Sequence, residues 1–460
     1  MKSINPYNNQ VLKTFEEYSQ AEIESTIQEA DAAFNEWKHI DFAHRAELMS
    51  NCAQVLREDQ KEYAEIMSLE MGKRFSEAIA EVEKCAWVCD YYAENAAKFL
   101  ANEPLKVDKG ESYIAYDPLG VILAVMPWNF PFWQVFRFAS PTLMAGNVGI
   151  LKHASNVPQC ALAIERVFKK AGFPSGVFST LLVGSDKVEA IIEDDRIMAV
   201  TLTGSEGAGS KIAEQAGRNI KKTVLELGGS DPFIVLRDAD LEEATDIAVK
   251  SRMINCGQSC IAAKRFIVDK AIAEGFLQKL KSKMEALKPG SPFDEAADYS
   301  VMAREDLANE LLEQVRDAES KGADIILGGD RPDREGAFFN PTIITNLKPG
   351  MRAFEEELFG PVATVFAVAD AEEAVAEANS SRYGLGASIW TKNIEKAQQL
   401  ARKIESGAVY INQMVASSPY VPFGGVKKSG YGRELSYLGI REFVNQKTVW
   451  INGEEHLGIE

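Results

Sequence analysis

The sequence predicts an α/β protein with one parallel-sheet domain, a second α/β domain and a small separate β element. Between residues 121 and 229, short apolar runs alternate with helical stretches, as in a parallel sheet covered on both faces. A second alternation of the same kind begins near residue 230. The 460 residues also exceed what one hydrophobic core usually supports, so two or three domains are expected.

In chain order, Ser19-Gln20-Ala21-Glu22 reads as a capping box, and Ile23, Ile27, Ala30 and Phe34 follow on one helical stripe. Helical patterns continue to about Phe99. Cys85 and Cys89 lie four apart in one of them; without a Cys or His pair to complete a site they read as core, and no metal is expected. From residue 111 the texture is that of strands: YIAYDPLGVILAVM alternates, then becomes continuously apolar. NVGILK (147–152), VFSTLLVG (177–184), IMAVTLTG (197–204) and KTVLELGG (222–229) read as further strands. PQCALAIERVFKKAG (158–172) reads as a helix capped by Ser155 or Asn156 and stopped by Gly-Phe-Pro. Beyond 230, DPFIVL (231–236), KRFIVD (264–269), TVFAVA (364–369) and GASIWT (386–391) read as strands, with a helical run from about Leu241 to Cys256. KTVWING (447–453) is a short strand that would pair with 111–118 of this chain or of another, or else form an edge of the monomer.

Composition narrows the partners. A net charge of −18 disfavours nucleic acid and anionic membranes, which would repel the chain. Six cysteines are too few for a disulfide scaffold of this size. The N-terminus lacks the apolar core of a signal peptide, and no run of about 18 apolar residues could span a bilayer, so a cytoplasmic location is expected.

Parallel sheets carry ligands at the carboxyl ends of their strands, and three polar clusters fall there: Lys152, the 203–209 turn and Glu226. Gly257-Gln258-Ser259-Cys260 places a thiol after a glycine that ends the helical run; a partly exposed thiol whose thiolate is stabilised is a nucleophile, whereas most free cysteines are inert core. Cys256 would share a helical face with Cys260 and reads as packing. None of the four histidines (39, 44, 153, 456) lies in a context that suggests a Cys-His dyad. Glu226 sits in VLELGG, an acid at an apolar strand end, where desolvation would raise its pKa toward that of a general base; a buried ion pair is the alternative. The turn Gly204–Gly209 could bind a phosphate at a helix N-terminus, although it is not G-x-G-x-x-G, and a plain βα turn is the alternative. In MPWNFP (126–131) a neutral amide, Asn129, ends an apolar strand between two prolines.

Taken together, PWNFP (127–131), LTGS (202–205) with Gly209, LELGG (225–229), GQSC (257–260), EELFGPV (356–362) and PFGGVKKSGYGRE (422–434) resemble, in order, the segments of the aldehyde dehydrogenase superfamily. The overall pattern is most similar to the short, bacterial-type succinate-semialdehyde dehydrogenases. The resemblance implies a Rossmann-like parallel-sheet cofactor domain (1–100 and 119–228), a second α/β catalytic domain (229–430), and a small β oligomerisation element (101–118 and 431–460). It implies that Cys260 attacks an aldehyde, that the Asn129 amide and the Cys260 N–H hold the oxyanion, and that Glu226 activates the water that hydrolyses the thioester. It places Trp128, Arg137, Lys152, Ser155, Gly204, Ser205, Gly209, Glu357 and Phe359 around NADP or NAD. It places Phe130, Trp133, Phe136, Ile254 and Ser418, with Tyr420, in the substrate pocket. A homodimer or homotetramer joined through the strand resembling 447–453 is implied as well.

Three departures shape these expectations. Ser155 stands where many NAD-preferring members carry a glutamate; without that carboxylate a 2′-phosphate is not repelled, so NADP is expected to be preferred. Arg137 stands where most members carry a lysine; its fixed charge would hold Glu226 or reach a cofactor phosphate. Phe136 and Ile254 stand where succinate-semialdehyde enzymes use two arginines for the substrate carboxylate, so the pocket reads as aromatic and apolar, with Arg252 or Arg137 as substitutes. The leading expectation is oxidation of succinate semialdehyde to succinate. The alternatives are a broad-specificity aliphatic or aromatic aldehyde dehydrogenase and a cofactor-independent thiol hydrolase.

Overall fold

A six-stranded sheet is built around the apolar run Val121–Met126, whose side chains are buried except at Val125. From edge to edge its strands are Gly430–Tyr431, Lys222–Glu226, Ile197–Thr203, Val121–Met126, Val148–His153 and Phe178–Thr180. All pairs are parallel except the first, and Leu123 sits in register with Ile150 on one side and Val200 on the other. The chain moves outward through 148–153 and 178–180, then returns to fill the other side of Val121–Met126. That reversal opens a crevice outside the carboxyl ends of the central strands. This computed structural model describes residues 1–452; Gly453 of the expected C-terminal strand and the tail to 460 lie outside the described residues.

The second sheet has seven strands, ordered Asp324–Leu327, Thr342–Thr345, Val362–Val368, Arg265–Asp269, Pro232–Val235, Gly386–Trp390 and Ala408–Ile411. Only its first pair is antiparallel. The two sheets meet end to end. Glu226 closes a strand of the first and Pro232 opens a strand of the second, so Leu227–Asp231 carries the chain from carboxyl ends to amino ends. Cys260 lies in the loop that leads into Arg265–Asp269, at the same junction.

Helix Phe75–Phe99 flanks the junction. Ala78, Val82, Cys85, Ala86, Cys89, Tyr92 and Ala96 form its buried stripe, with the three-and-four spacing of a core-facing helix. Cys89 Sγ lies 3.4 Å from Ser140 Oγ on helix Trp133–Met144. Among the described residues, no helix is long and apolar enough to cross a membrane.

Several local expectations are revised. The helix beginning at Leu241 ends at Met253, not Cys256, and a tight turn, Ile254–Gly257, follows. In that turn Asn255 and Cys256 adopt left-handed φ values of 51° and 54°, so Cys256 does not share a helical face with Cys260; its Sγ meets the Ser300 carbonyl at 3.4 Å. The helix expected at 158 has Pro158 in its first turn with Val157 as cap, since proline needs no N–H partner there; Ser155 and Asn156 do not cap it. The strand expected at 177–184 pairs only over Phe178–Thr180. Gly430–Tyr431 pairs with Lys222–Glu226, and helix Ser436–Ile440 packs on helix Phe75–Phe99, so much of the chain after 430 completes the first unit. Val444–Ile451 pairs with Glu111–Pro118 of the same chain, which pairs in turn with Glu103–Leu105.

Gly257 shows how tight the turn before the nucleophile is. Its φ is +75°, and a Cβ there would lie 2.3 Å from the carbonyl carbon of Gly360. Gly257→Ala is expected to cost at least about 2 kcal/mol from backbone strain and overlap, read as a lower denaturant midpoint at unchanged slope; an unchanged midpoint would show that the turn is not constrained.

Candidate active site

The strand Val121–Met126 ends at the crevice, and the turn between Pro127 and Pro131 is fixed by buried polar contacts. The backbone oxygen of Asn129 accepts from Lys73 Nζ at 2.9 Å and from Asn255 Nδ2 at 2.7 Å. Its side-chain Oδ1 accepts from Gln134 Nε2 at 3.0 Å, which sets the amide so that Nδ2 donates to the Gln258 carbonyl at 3.1 Å. That bond uses one of the two Nδ2 hydrogens, leaving the other for a ligand. Lys73 is ion-paired with Glu81, both fully buried, and Glu81 Oε1 accepts the N–H groups of Phe132 and Trp133 at 2.9 and 3.0 Å. One buried carboxylate thereby anchors the start of helix Trp133–Met144.

The nucleophile loop is held from below. Lys264 Nζ donates to the carbonyls of Ser259 and Cys260 at 2.9 and 2.8 Å and is ion-paired with Glu357 at 3.1 Å. Gln258 Oε1 accepts from Ala303 N at 2.8 Å. Cys260 is the one partly exposed cysteine among the six; the others are buried. Burial pushes its thiol up to about 12; Arg137 and Lys264 pull it down, while Glu357 and Asp231 push it up. The thiol therefore needs a proton acceptor to react at neutral pH.

Cys260 is shared by two cavities. The first, about 240 Å³, is lined by Trp128, Asn129, Thr203, Gly204, Ser205, Leu227, Gly228, Glu357 and Phe359. Ser205 caps helix Glu206–Arg218, its Oγ accepting from Ala208 N, so the helix start points at this cavity. Trp128 and Phe359 meet edge to face with centroids 5.7 Å apart. The second cavity, about 90 Å³, is lined by Phe130, Trp133, Arg137, Ile254, Ser417, Phe423 and Lys84, among others.

Glu226 lines neither cavity. It is buried at its strand end, and neither carboxylate oxygen has a hydrogen-bond partner among the described residues. A Cβ on Gly424 would lie 2.6 Å from its Oε1, so only glycine admits the carboxylate there. Burial and then the Glu434 carboxylate raise its pKa well above the usual range, against Arg137 and Arg433. Glu434 is raised as well, mainly by burial. Two neighbouring buried acids cannot both ionise cheaply, and each raises the cost of charging the other.

Three expected site residues, Phe136, Ser418 and Gly209, lie elsewhere, and Arg137 stands only in part where expected. Phe136 is fully buried, stacked between Phe132 and Phe168 at 6.4 and 5.2 Å, and belongs to the core. Arg137, expected beside the cofactor or Glu226, lies near Glu226, whose pKa its charge lowers, and lines the smaller cavity rather than the larger one: it is ion-paired with Glu434, donates to Thr203 Oγ1 at 3.2 Å and lies over the Phe423 ring. The reason is helical phase. Trp133 and Arg137 are four apart on one face, while Phe132 and Phe136 share another. Ser418 gives way to Ser417, which accepts from Lys84 Nζ at 2.8 Å and Trp133 Nε1 at 3.1 Å; Ser418 Oγ accepts from Tyr420 N within its own turn. Gly209 packs its helix onto Leu227, where a Cβ would lie 2.6 Å from Cδ2. Of the residues named beside these, Tyr420 is exposed and packs edge-on against Trp87 and Tyr91, and Arg252 is buried, lines neither cavity and donates through Nη2 to the Gly257 carbonyl at 2.5 Å. Lys73, Glu81, Lys84, Gln134, Lys264 and Ser417 had no motif to announce them, and Glu434 closes the 422–434 segment without having been singled out; the spacing of Glu77, Glu81 and Lys84 on one helix was the available signal for two of them.

The larger cavity fits a dinucleotide: a helix N-terminus for phosphate, an acid for ribose hydroxyls and an aromatic wall, ending at the thiol. Lys152 and Ser155 lie after the neighbouring strand; Lys152 is buried and its pKa is lowered by desolvation, whereas Ser155 is exposed. Residues 1–449 match the aldehyde dehydrogenase family. The chain belongs to that family. It is 53% identical over 449 residues, covering 98% of this chain and 99% of the relative, to a protein of Synechocystis named a probable succinate-semialdehyde dehydrogenase (NADP+). It is 51% identical, covering 98% of this chain and 99% of the relative, to a succinate-semialdehyde dehydrogenase (NADP+) of Mycobacterium bovis. The crystal structure of succinic semialdehyde dehydrogenase from Streptococcus pyogenes in complex with NADP+ superposes with a TM-score of 0.97 at 41% identity, covering 98% of this chain and all of that one (100%).

For this aldehyde dehydrogenase, the Lys73–Glu81 pair is the buried support of Asn129. Lys73→Met leaves Glu81 without its counter-charge and is expected to lower stability by about 3–5 kcal/mol, measured by urea unfolding; a loss below about 1 kcal/mol would show that the pair is not a support.

Proposed function

We propose that this enzyme oxidises succinate semialdehyde to succinate with NADP. The observation that carries the proposal is the position of Cys260, between a cavity shaped for a dinucleotide and a smaller one holding two cations, Lys84 and Arg137. The names of the 51–53% identical relatives support the same substrate and cofactor.

In the proposed mechanism the Cys260 thiol gives up its proton to solvent water and its sulfur attacks the aldehyde carbon, the carbonyl π pair moving onto the oxygen. The oxyanion that forms accepts hydrogen bonds from Asn129 Nδ2 and the Cys260 N–H. The Gln134 bond to Asn129 Oδ1 prevents the amide from flipping, so the donor is pre-aimed and needs no reorganisation. NADP, when bound, supplies the acceptor for the hydride, and a thioester remains on Cys260. Glu226 then takes a proton from water, which hydrolyses the thioester and frees the acid and the thiol. Burial and the Glu434 partner raise Glu226 toward the basicity this step requires.

Ser205 and the helix start would bind the pyrophosphate, with Gly204 allowing close approach. Lys152 and Ser155 would hold the adenosine ribose, Glu357 the nicotinamide ribose, and Trp128 and Phe359 the ring. Ser155 offers no carboxylate against a 2′-phosphate. We further propose a cytoplasmic homodimer or homotetramer, formed through the strand Val444–Ile451, whose Trp450 and Ile451 are exposed. Light scattering is expected to return a dimer or tetramer; a monomer would refute that assembly.

Cys260→Ala is expected to abolish turnover while NADP still quenches tryptophan fluorescence; residual turnover at the wild-type rate would remove Cys260 from the chemistry. Glu226→Gln is expected to release a burst of reduced cofactor and then stall; a full steady-state rate would exclude Glu226 from deacylation. kcat/KM is expected to favour NADP over NAD; roughly tenfold better use of NAD, equal to about 1.4 kcal/mol, would refute the role given to Ser155.

A further inference from the structure

Four cations surround the reaction centre, and three are matched by acids: Lys73 by Glu81, Lys264 by Glu357 and Arg137 by Glu434. Lys84, on helix Phe75–Phe99, is not; among the described residues it has no carboxylate partner. Its Nζ donates to Ser417 Oγ at 2.8 Å and lies 4.2 Å from the centre of the Trp133 ring, at the wall of the smaller cavity. Both contacts are neutral. They orient the ammonium without cancelling its charge, and an ammonium removed from water with no counter-ion is costly.

Ser417 carries the second part of the argument. Its Oγ already accepts from Lys84 Nζ and from Trp133 Nε1 at 3.1 Å. With both lone pairs engaged, the hydroxyl can act further only as a donor. The cavity wall therefore presents an uncompensated ammonium beside a hydroxyl donor, held by the indole of Trp133. That is a receptor for an anion, and Cys260 stands on the same cavity.

We propose that Lys84, with Ser417, binds the carboxylate at the far end of the substrate and sets the enzyme's preference for a carboxylated aldehyde over a neutral one. The proposal rests on the succinate-semialdehyde reading and names the group that would enforce it. It also accounts for a pocket that lacks arginine at 136 and 254: the cation comes from a different helix, and Arg137 is already committed to Glu434 and Thr203.

The charge on Lys84 supplies a second handle. Burial lowers its pKa to about 8, reinforced by Arg137 from helix Trp133–Met144 and opposed by Cys85 and Glu81 of its own helix and by Cys260 of the nucleophile loop. Below that pH the ammonium is present; as pH rises through it the charge is lost. A carboxylated substrate should feel that loss and a neutral one should not.

The test compares kcat/KM for succinate semialdehyde with kcat/KM for butanal at saturating NADP, in wild type, Lys84→Met and Lys84→Arg. The ratio is expected to fall by about tenfold or more in Lys84→Met, as for a lost hydrogen bond between charged groups, chiefly through KM for succinate semialdehyde, with partial recovery in Lys84→Arg. In wild type the ratio is expected to fall as pH rises through about 8. If wild type prefers succinate semialdehyde and the ratio in Lys84→Met stays within about twofold (about 0.4 kcal/mol), Lys84 is not the receptor and the substrate reading stands. If wild type shows no preference, both fall. Should Lys84→Met fail to fold, a wild-type ratio that is flat across that pH range overturns the proposal.

Discussion

One carbonyl oxygen, that of Asn129, joins three parts of the chain that are far apart in sequence. It accepts from Lys73, just before the long helix, and from Asn255 in the turn before the nucleophile. Asn129 itself lies in the turn that follows the central strand of the first sheet. A charge-assisted bond and an amide bond to one buried oxygen leave little freedom to any of the three segments. The distance between amide and thiol is therefore set by the meeting of two sheets rather than by either sheet alone.

The electrostatics follow from that closeness. Bringing carboxyl ends of one parallel sheet against amino ends of another buries acids and bases that would otherwise be hydrated. Most are neutralised in pairs. Three that are not paired have chemical roles in our account: a thiol pushed up to about 12, a carboxylate raised beside a second carboxylate, and an ammonium lowered to about 8. Each shift favours the uncharged form, as expected for groups that gain their charge only with substrate or during reaction.

Much of this was legible in the sequence because strand ends carry the chemistry. The apolar runs located the strands, and the polar residues just beyond them, Asn129, Ser205 and the Glu226 segment, fell at the crevice. What was not legible depended on angles between elements. Phe136 and Arg137 are adjacent in sequence, yet helical phase sends one into the core against Phe132 and Phe168 and the other to the cavity, and which face meets which is set by how the helix packs. Ser417 and Ser418 differ in the same way: the indole of Trp133 and the ammonium of Lys84 select the first. Cys256 left the expected helix because Asn255 bends the backbone into the left-handed region to reach Asn129, a tertiary demand with no local signature. Lys84 has no signal of its own in the sequence, since its surroundings depend on a loop more than three hundred residues away.

The central claim is that one thiol, and no other in the chain, stands where both cavities meet. Alkylation with iodoacetamide at limiting reagent, followed by peptide mass spectrometry and assay of the same samples, tests it most directly. The account predicts that label appears on Cys260, that the five buried cysteines stay unmodified, and that activity falls in proportion to Cys260 labelling. Label on another cysteine with loss of activity, or full activity with Cys260 alkylated, would contradict it.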